Sequence, residues 1–600
     1  MAAPPLLRWG LTLSAALVAI AVAFKLQKPL ADPSQAAPAT TTHCYRHVRT
    51  HDADQPSAQC FSVGGGGFFE SVWTPDVTVQ DSALDGYVIP GLWDGHGHLL
   101  PYGEFLHSVD LFGSRSLDEA RARIRAYVEA NPGAGSKDQW LRGVGWDQTF
   151  FGRMPTAADL DEDDSLKGLY MLLDRIDVHC AWVSQPVLAL LPPHVPDVPG
   201  GEIVRDPGMG VFCDNAMELV TDLWPKPGPD AKTRMVGTAM RRLNEVGLVG
   251  MHDAGATPAN LDLFSRLADA DEWTVRVYGM LECDARNTFC PEDAVKYDRE
   301  DGRFTVRSVK LFAGNPPPPF YSLTSLFIPS LTVKWFTDGA LGSWGSAMLE
   351  PYTDHPWTSG SLLINASSLA DVAKAWARVG FQVNIHAIGD LANRNAVDAL
   401  EAALQQECPG AAPEECQAQR RFRIEHAQII HPADQRRIRA LGILPSIQPT
   451  HATSDMKYAA ARLGEPRLRD EAYRMKSLLD DGRRPIVLGS DFPVEPADPF
   501  QGIYAAVTRR SPHTGLGADG SPRGWHMEQA LTLDEALRGF TQGVAYGAFL
   551  EGKAGVIAPG AYADWVVLDE PIDKLDVETL RSIKVRETWV AGKRVFLRHD

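Results

Sequence analysis

Polar residues that can bind a metal gather where the apolar runs of this sequence end. "YVIPGLWDGHGHLL" delivers His96 and His98, "FQVNIHAIGD" delivers His386, "RFRIEHAQII" delivers His426, and "RPIVLGSDFPV" delivers Asp491. His96 and His98 are separated by one residue, so on an extended strand both imidazoles face the same side. One such pair alone is commonly a packed or surface pair. Three further strand ends offering histidine or aspartate make a metal-ligand set. Nitrogen and carboxylate donors of this kind suit zinc, with other divalent transition metals also accommodated.

Ligands this far apart in sequence need a scaffold that brings strand ends together. Between the short apolar runs lie helical patterns such as "LADVAKAWARVG" and "PADQRRIRALG". Repeated strand-then-helix over this length predicts an α/β fold with a parallel sheet, most simply a TIM-like (β/α)8 barrel whose chemistry sits at the C-terminal strand ends. Segments at both ends of the chain, "CFSVGGGGFFESVW" and "GVIAPGAYADWVVLD" with "VRETWVAGKRVF", read as short strands. They can pair into one small β-domain. The expected division is 31–56 as a flexible linker, 57–90 and 546–600 as the two parts of that domain, and 91–545 as the barrel with insertions. The glycines of "VGGGGFF" read as a turn, because neither a helix pattern nor a Lys-Ser/Thr pair follows.

Six hundred residues suit one large catalytic domain with an accessory domain. A net charge of -18 with no basic patch argues against nucleic acid as a partner. Trp9 to Phe24 is a sixteen-residue apolar run with Arg8 before it and Lys25 and Lys28 after it. Such a run is short for a spanning helix and resembles a signal-peptide core. Residues 1–30 are read as a signal anchor or a signal peptide. This predicts the secretory pathway, with a secreted protein if the segment is cleaved and membrane attachment if it is not. Six of eight cysteines form close sequence pairs, Cys44/Cys60, Cys283/Cys290 and Cys408/Cys416, with Cys180 and Cys213 left over. Local disulfides would suit an oxidising lumen, while small buried apolar thiols are the alternative. Asn365-Ala366-Ser367 is a glycosylation sequon.

With these phrases in order, together with "GVGWDQTFF", "RIDVHCAWV" and "SIQPTHATSDM", the chain resembles the amidohydrolase superfamily from about Cys60 to Phe596. Within it the similarity is to the amidohydrolase 3 branch that includes N-substituted formamide deformylases. The resemblance implies a barrel with a composite β-sandwich from both termini. It implies a metal-dependent hydrolase of non-peptide carbon–nitrogen bonds, acting on a small amide or formamide. By the same resemblance His96 and His98 bind the more buried of one or two divalent ions, and His386 and His426 bind the second. Asp491 contacts metal and handles the proton. A lysine near the end of strand four is carboxylated by CO2 and bridges the metals. Trp146, Asp147, Arg175 and His179 match family phrases and are candidates to line the substrate pocket. Their alternative is scaffold, by tryptophan packing and an Arg–Asp pair. His451 in "QPTH" is a candidate to contact substrate or the activated water, or an ordinary loop histidine. His252 and Asp253 in "GMHDAG" are candidates to orient ligands, or core polar residues. A barrel retaining the fold without catalysis, and a hydrolase of a cyclic amide or ester, are the rival readings.

Two lysines compete for the bridge. "VKLFAGN" contains Lys310 and the left half of the family phrase, and "VKWFTDGALGS" contains Lys334 and the right half. Deleting residues 314–337 joins Ala313 to Asp338 and gives "SVKLFADGALGSWGS", the family phrase without a seam. The intervening stretch has four consecutive prolines, and its ends can be encoded with donor-like and acceptor-like dinucleotides. We read it as a retained intron, which makes Lys310 the bridging lysine. With a genuine loop insertion, Lys334, attached to "DGALGS", competes for the role.

Overall fold

The computed structural model describes residues 40–76, 85–176, 180–198, 201–313, 341–360, 362, 364–479 and 485–599. Along the chain, β1 (Thr41–Arg49), β2 (Ser57–Val63), β3 (Phe69–Trp73) and β4 (Tyr87–Pro90) come first. β5 (Leu92–Gly97) opens the barrel. An insert follows with β6 (Val109–Asp110), β7 (Leu141–Trp146), β8 (Met171–Arg175), β9 (Cys180–Val183), β10 (Gly201–Val204) and β11 (Val211–Asp214). The barrel resumes with β12 (Leu248–Ala256) and β13 (Arg276–Leu281). After β14 (Tyr297–Asp298), a short antiparallel appendage, come β15 (Phe304–Phe312), β16 (Gln382–Ala387), β17 (Arg423–His426), β18 (Leu444–Ile447) and β19 (Val487–Leu488). β20 (Trp565–Leu568), β21 (Glu587–Val590) and β22 (Lys593–Leu597) end the chain.

β5, β12, β13, β15, β16, β17, β18 and β19 pair in that order, every pair parallel. These eight strands form the barrel expected from the sequence. The seam between first and last strands is stitched by Asp491 N–H to the His96 carbonyl at 2.6 Å and by His98 N–H to the Phe492 carbonyl at 2.9 Å. Glycine permits this close approach. A Cβ on Gly95 would lie 2.4 Å from Val487 Cγ1, and one on Gly489 would lie 2.5 Å from the His96 backbone nitrogen. Helices that flank the barrel, such as Ala366–Arg378 and Asp390–Glu407, bury one apolar stripe each, including Leu369, Ala373 and Trp376 on the first and Ala396, Leu400 and Ala403 on the second.

Both ends of the chain meet in one seven-stranded sheet, ordered β22-β21-β20-β4-β1-β2-β3. Within the stretch expected as a flexible linker over 31–56, the described residues differ from that expectation at Thr41–Arg49. Thr41–Arg49 is a strand near the middle of this sheet, paired with both β2 and β4. Its polar residues masked the signal, but Tyr45 and Val48 are buried and Cys44 is disulfide-bonded to Cys60. A buried ion pair, Arg276 Nε to Asp564 at 2.6 Å, docks the sheet onto the barrel.

The insert forms its own six-stranded sheet with its own core, including Trp146, Trp182 and Met171. All three disulfides between near cysteines are present, and Cys180 and Cys213 form a fourth across the paired strands β9 and β11. Among the described residues no helix is long and apolar enough to cross a membrane. The apolar run Trp9–Phe24, His179, Lys334 and the segment 314–337 lie outside the described residues.

Candidate metal centre

The ligand candidates converge at the C-terminal rim of the barrel. Donor atoms of His96, His426 and Asp491 all lie within 4.8 Å of one another, and all three residues are buried. Nε2 of His98 is 3.1 Å from Oδ1 of Asp491. The His386 ring stands edge-on to that of His426, with centroids 4.3 Å apart. Lys310 Nζ is 3.5 Å from Nε2 of His96. Backbone strain aims two of these groups: His426 has φ 73° and Asp491 φ 65°, a left-handed region costly for residues other than glycine.

Hydrogen bonds fix which ring nitrogen each histidine presents. Nδ1 of His96 donates to Glu425 Oε2 at 2.6 Å, and Nδ1 of His426 donates to Gln448 Oε1 at 2.9 Å. Each ring therefore turns a lone pair on Nε2 toward the cluster, as a metal ligand must. His451 is set the other way. Gln428 Nε2 donates to its Nδ1 at 2.9 Å, so its Nε2 carries the proton and points at Asp491 Oδ2, 3.6 Å away. It is a donor beside the cluster.

Burial keeps the imidazoles neutral. It pulls His96 down to about 4 and takes His386 and His426 well below the ordinary histidine value, with the Lys310 charge adding to the effect. Burial also lowers the Lys310 amine to about 8. It works to raise Asp491, but the hydrogen bond from His98, with the imidazoles of His96, His98 and His451 grouped around the carboxylate, outweighs it and holds the carboxylate below its usual range. Neutral nitrogen donors around an ionised carboxylate fit a divalent metal ion.

A second layer supports the first. Burial alone would raise Glu425, but Arg423 and His96 hold it well below the carboxylate range. Arg423 lies 2.9 Å from Glu425 and also donates to His252 Nδ1, Ser446 Oγ and the Gly95 carbonyl. Asp94 accepts from the Ser490 backbone and hydroxyl and from the His96 N–H, tying β5 to the loop that carries Asp491. Burial raises Asp94 to about 7 and Asp253 to about 6. Of the two residues given as orienting groups or core polar residues, His252 is buried against Arg423 and Asp253 is buried and accepts the Leu99 N–H.

The insert residues are used differently. Trp146 is fully buried, donates to the Leu173 carbonyl at 2.7 Å and packs on Trp182 and Phe151. Asp147 caps the helix Gln148–Phe151 by accepting from Thr149. These are the scaffold roles of the two considered. Arg175 ends β8 in register with Trp146, and Arg142 of β7 pairs with Asp174 of β8. Sequence reasoning passed over Glu425, Arg423, Asp94, Gln428 and Gln448, although the first four stand inside phrases that name ligands and Gln448 stands in the phrase that carries His451. Strand alternation could have found Asp94, two residues before His96.

The sequence pattern described as Amidohydrolase family matches residues 82–596. The chain belongs to the amidohydrolase family. It is 28% identical over 573 residues to Protein LONG AFTER FAR-RED 3 of Arabidopsis thaliana, covering 92% of this chain and 90% of that one. It is 27% identical over 569 residues to N-substituted formamide deformylase of Arthrobacter pascens, covering 91% and 96%. The solved structure of an uncharacterized metal-dependent hydrolase from Pyrococcus furiosus matches its fold with a TM-score of 0.67 at 24% identity, covering 89% of this chain and 99% of that one. Family membership and the His–His–Asp cluster together make this amidohydrolase a metal-dependent hydrolase.

Proposed function

We propose that the chain hydrolyses a non-peptide carbon–nitrogen bond, in an amide or N-formyl group of a small molecule. The observation that carries this reading is the opposed setting of the histidines: His96 and His426 present bare Nε2 atoms toward Asp491, and His451 presents an N–H. Similarity to a formamide deformylase over most of both chains supports the bond class. The ions, one or two and most simply zinc, would be held by His96, His98, His386, His426 and Asp491. When bound, such an ion acidifies the attacking water toward about pH 7 and polarises the scissile carbonyl.

Asp491 is ionised and takes the proton of the nucleophile on a carboxylate oxygen, then delivers it to the departing nitrogen. His451 holds its N–H toward Oδ2 of Asp491, so it steadies that carboxylate and can donate to the oxygen on which charge develops. Lys310 is the proposed bridge. At about pKa 8, about a tenth of it is neutral at pH 7, against fewer than about one in a thousand for a free lysine. The neutral amine adds to CO2, forms an N–C bond and releases a proton, and a cation becomes an anionic ligand. The placement of Lys310 beside His96 supports it as the bridge. Four disulfides support an oxidising, secretory location.

Asp491→Asn tests the reading. The variant keeps the fold and most of its metal and loses about 100-fold or more in turnover on small formamides. Retained turnover removes Asp491 from its role. A zinc-supplied protein that binds no metal points instead to a barrel that has lost catalysis.

A further inference from the structure

β13 ends at Leu281, opposite Val309, while β15 runs on to Phe312. Beyond Val309, β13 no longer flanks the strand that carries Lys310, yet Phe312 is buried. A buried backbone N–H and C=O must find partners. Asn287 supplies both. Its Oδ1 accepts from the Phe312 N–H at 2.8 Å, and its Nδ2 donates to the Phe312 carbonyl at 2.9 Å. One side-chain amide, with an acceptor and a donor side by side, thus stands in for a strand residue. Asparagine also tolerates the left-handed backbone found here, φ 58°.

The loop bearing Asn287 is tied down on three sides. Cys283 and Cys290 close it with a disulfide. Trp376, on the helix Ala366–Arg378, donates its Nε1–H to the Thr288 carbonyl at 3.1 Å. Arg286 pairs with Glu282 at 2.6 Å and lies over the Phe312 ring, 4.3 Å from its centroid. This anchored loop grips the edge of the metal centre. Phe312 lies opposite His386 in the β15–β16 ladder with ring centroids 5.5 Å apart, and the Ala313 N–H bonds the His386 carbonyl at 3.1 Å. Lys310 stands two residues before Phe312, on the same face of the strand. We propose that Asn287 is a positioning residue for the metal centre: by holding the Phe312 backbone it fixes Lys310 on β15 against His386 on β16. This rests on the metal-binding roles proposed for those two residues.

The test sets zinc affinity of the full chain, by chelator competition, beside the melting temperature of the metal-stripped chain. Asn287→Gly keeps the left-handed backbone and removes the amide. It should weaken zinc binding about 10-fold, while the metal-free melting temperature falls by no more than about 2 °C. Ser116→Gly is the control, because Ser116 caps the helix Leu117–Ala130 in the insert by accepting from the Glu119 N–H. It should melt slightly earlier and bind zinc as the parent does. Parental zinc affinity in Asn287→Gly, an equal weakening in Ser116→Gly, or a melting shift in Asn287→Gly well beyond about 2 °C overturns the proposal and leaves the metal centre standing. A parent protein that binds no zinc overturns both. If Asn287→Gly does not fold, Cys283→Ser with Cys290→Ser frees the same loop, and unchanged zinc affinity there overturns the proposal.

Discussion

Glu425 grips Nδ1 of His96 at 2.6 Å while Arg423 lies 2.9 Å from its other oxygen, and all three side chains are shut away from solvent. One carboxylate thus sets a ligand tautomer and neutralises a buried cation. Glu425→Gln should lower metal affinity about 10- to 100-fold and destabilise the metal-free protein by about 3 kcal/mol, because Arg423 loses its counter-charge. Chelator competition reads the first effect and thermal unfolding of the metal-free form reads the second.

His451 and His426 have nearly parallel rings 5.8 Å apart, yet they are set for opposite tasks. His451→Asn should leave metal content unchanged and lower kcat about 100-fold, the usual cost of one oriented donor. His426→Asn should lose metal. Metal analysis beside steady-state kinetics separates the two, and a loss of metal in the His451 variant would make it a ligand.

Lys310→Met should abolish the carbamate signal in a 13C spectrum recorded under labelled CO2 and reduce bound metal. Lys334→Met, and a form lacking residues 314–337, should keep both. Reversal of that pattern would assign the bridge to Lys334.

His51 gives an acid-sensitive contribution away from the metal. Burial, then the charges of Arg49 and Arg538, lower it to about 3, and it is locked neutral with Nε2 accepting from Arg49 and Nδ1 bonded to Thr541. The unfolded residue titrates near 6.5. Between these values the unfolded chain holds the extra proton, so stability present above about pH 6.5 is lost as pH falls toward 3. By pH 4.5 the loss is about 2–3 kcal/mol. Urea unfolding at pH 7 and 4.5 should show a shallower acid loss in His51→Gln than in the parent protein.

The barrel was legible because its strands end in chemistry: each apolar run that closed on His or Asp proved to be a barrel strand or its exit. Period-two spacing also placed His96 and His98 beside the same carboxylate. It failed at Glu425. Alternation sends Glu425 and His426 to opposite faces, but the left-handed turn at His426 breaks the alternation, and both serve the interior. No spacing rule announces a positive φ at a histidine. Trp146 and Asp147 misdirected for a related reason: shared phrases mark what a fold needs as well as what a reaction needs. Thr41–Arg49 was missed because a strand pinned by a disulfide and two neighbours tolerates a polar sequence.

The stitch between Asp491 and His96 joins residues from opposite ends of the barrel sequence, at the point where its last strand meets its first. A ribosome must therefore release nearly the whole polypeptide before any ion can be gripped by the full set. Partially made chains carry the histidines of the first strand but lack the residue that shuts the ring. Activity in such an architecture arrives in one late event, and no fragment that begins after His96 or stops before Asp491 can inherit it.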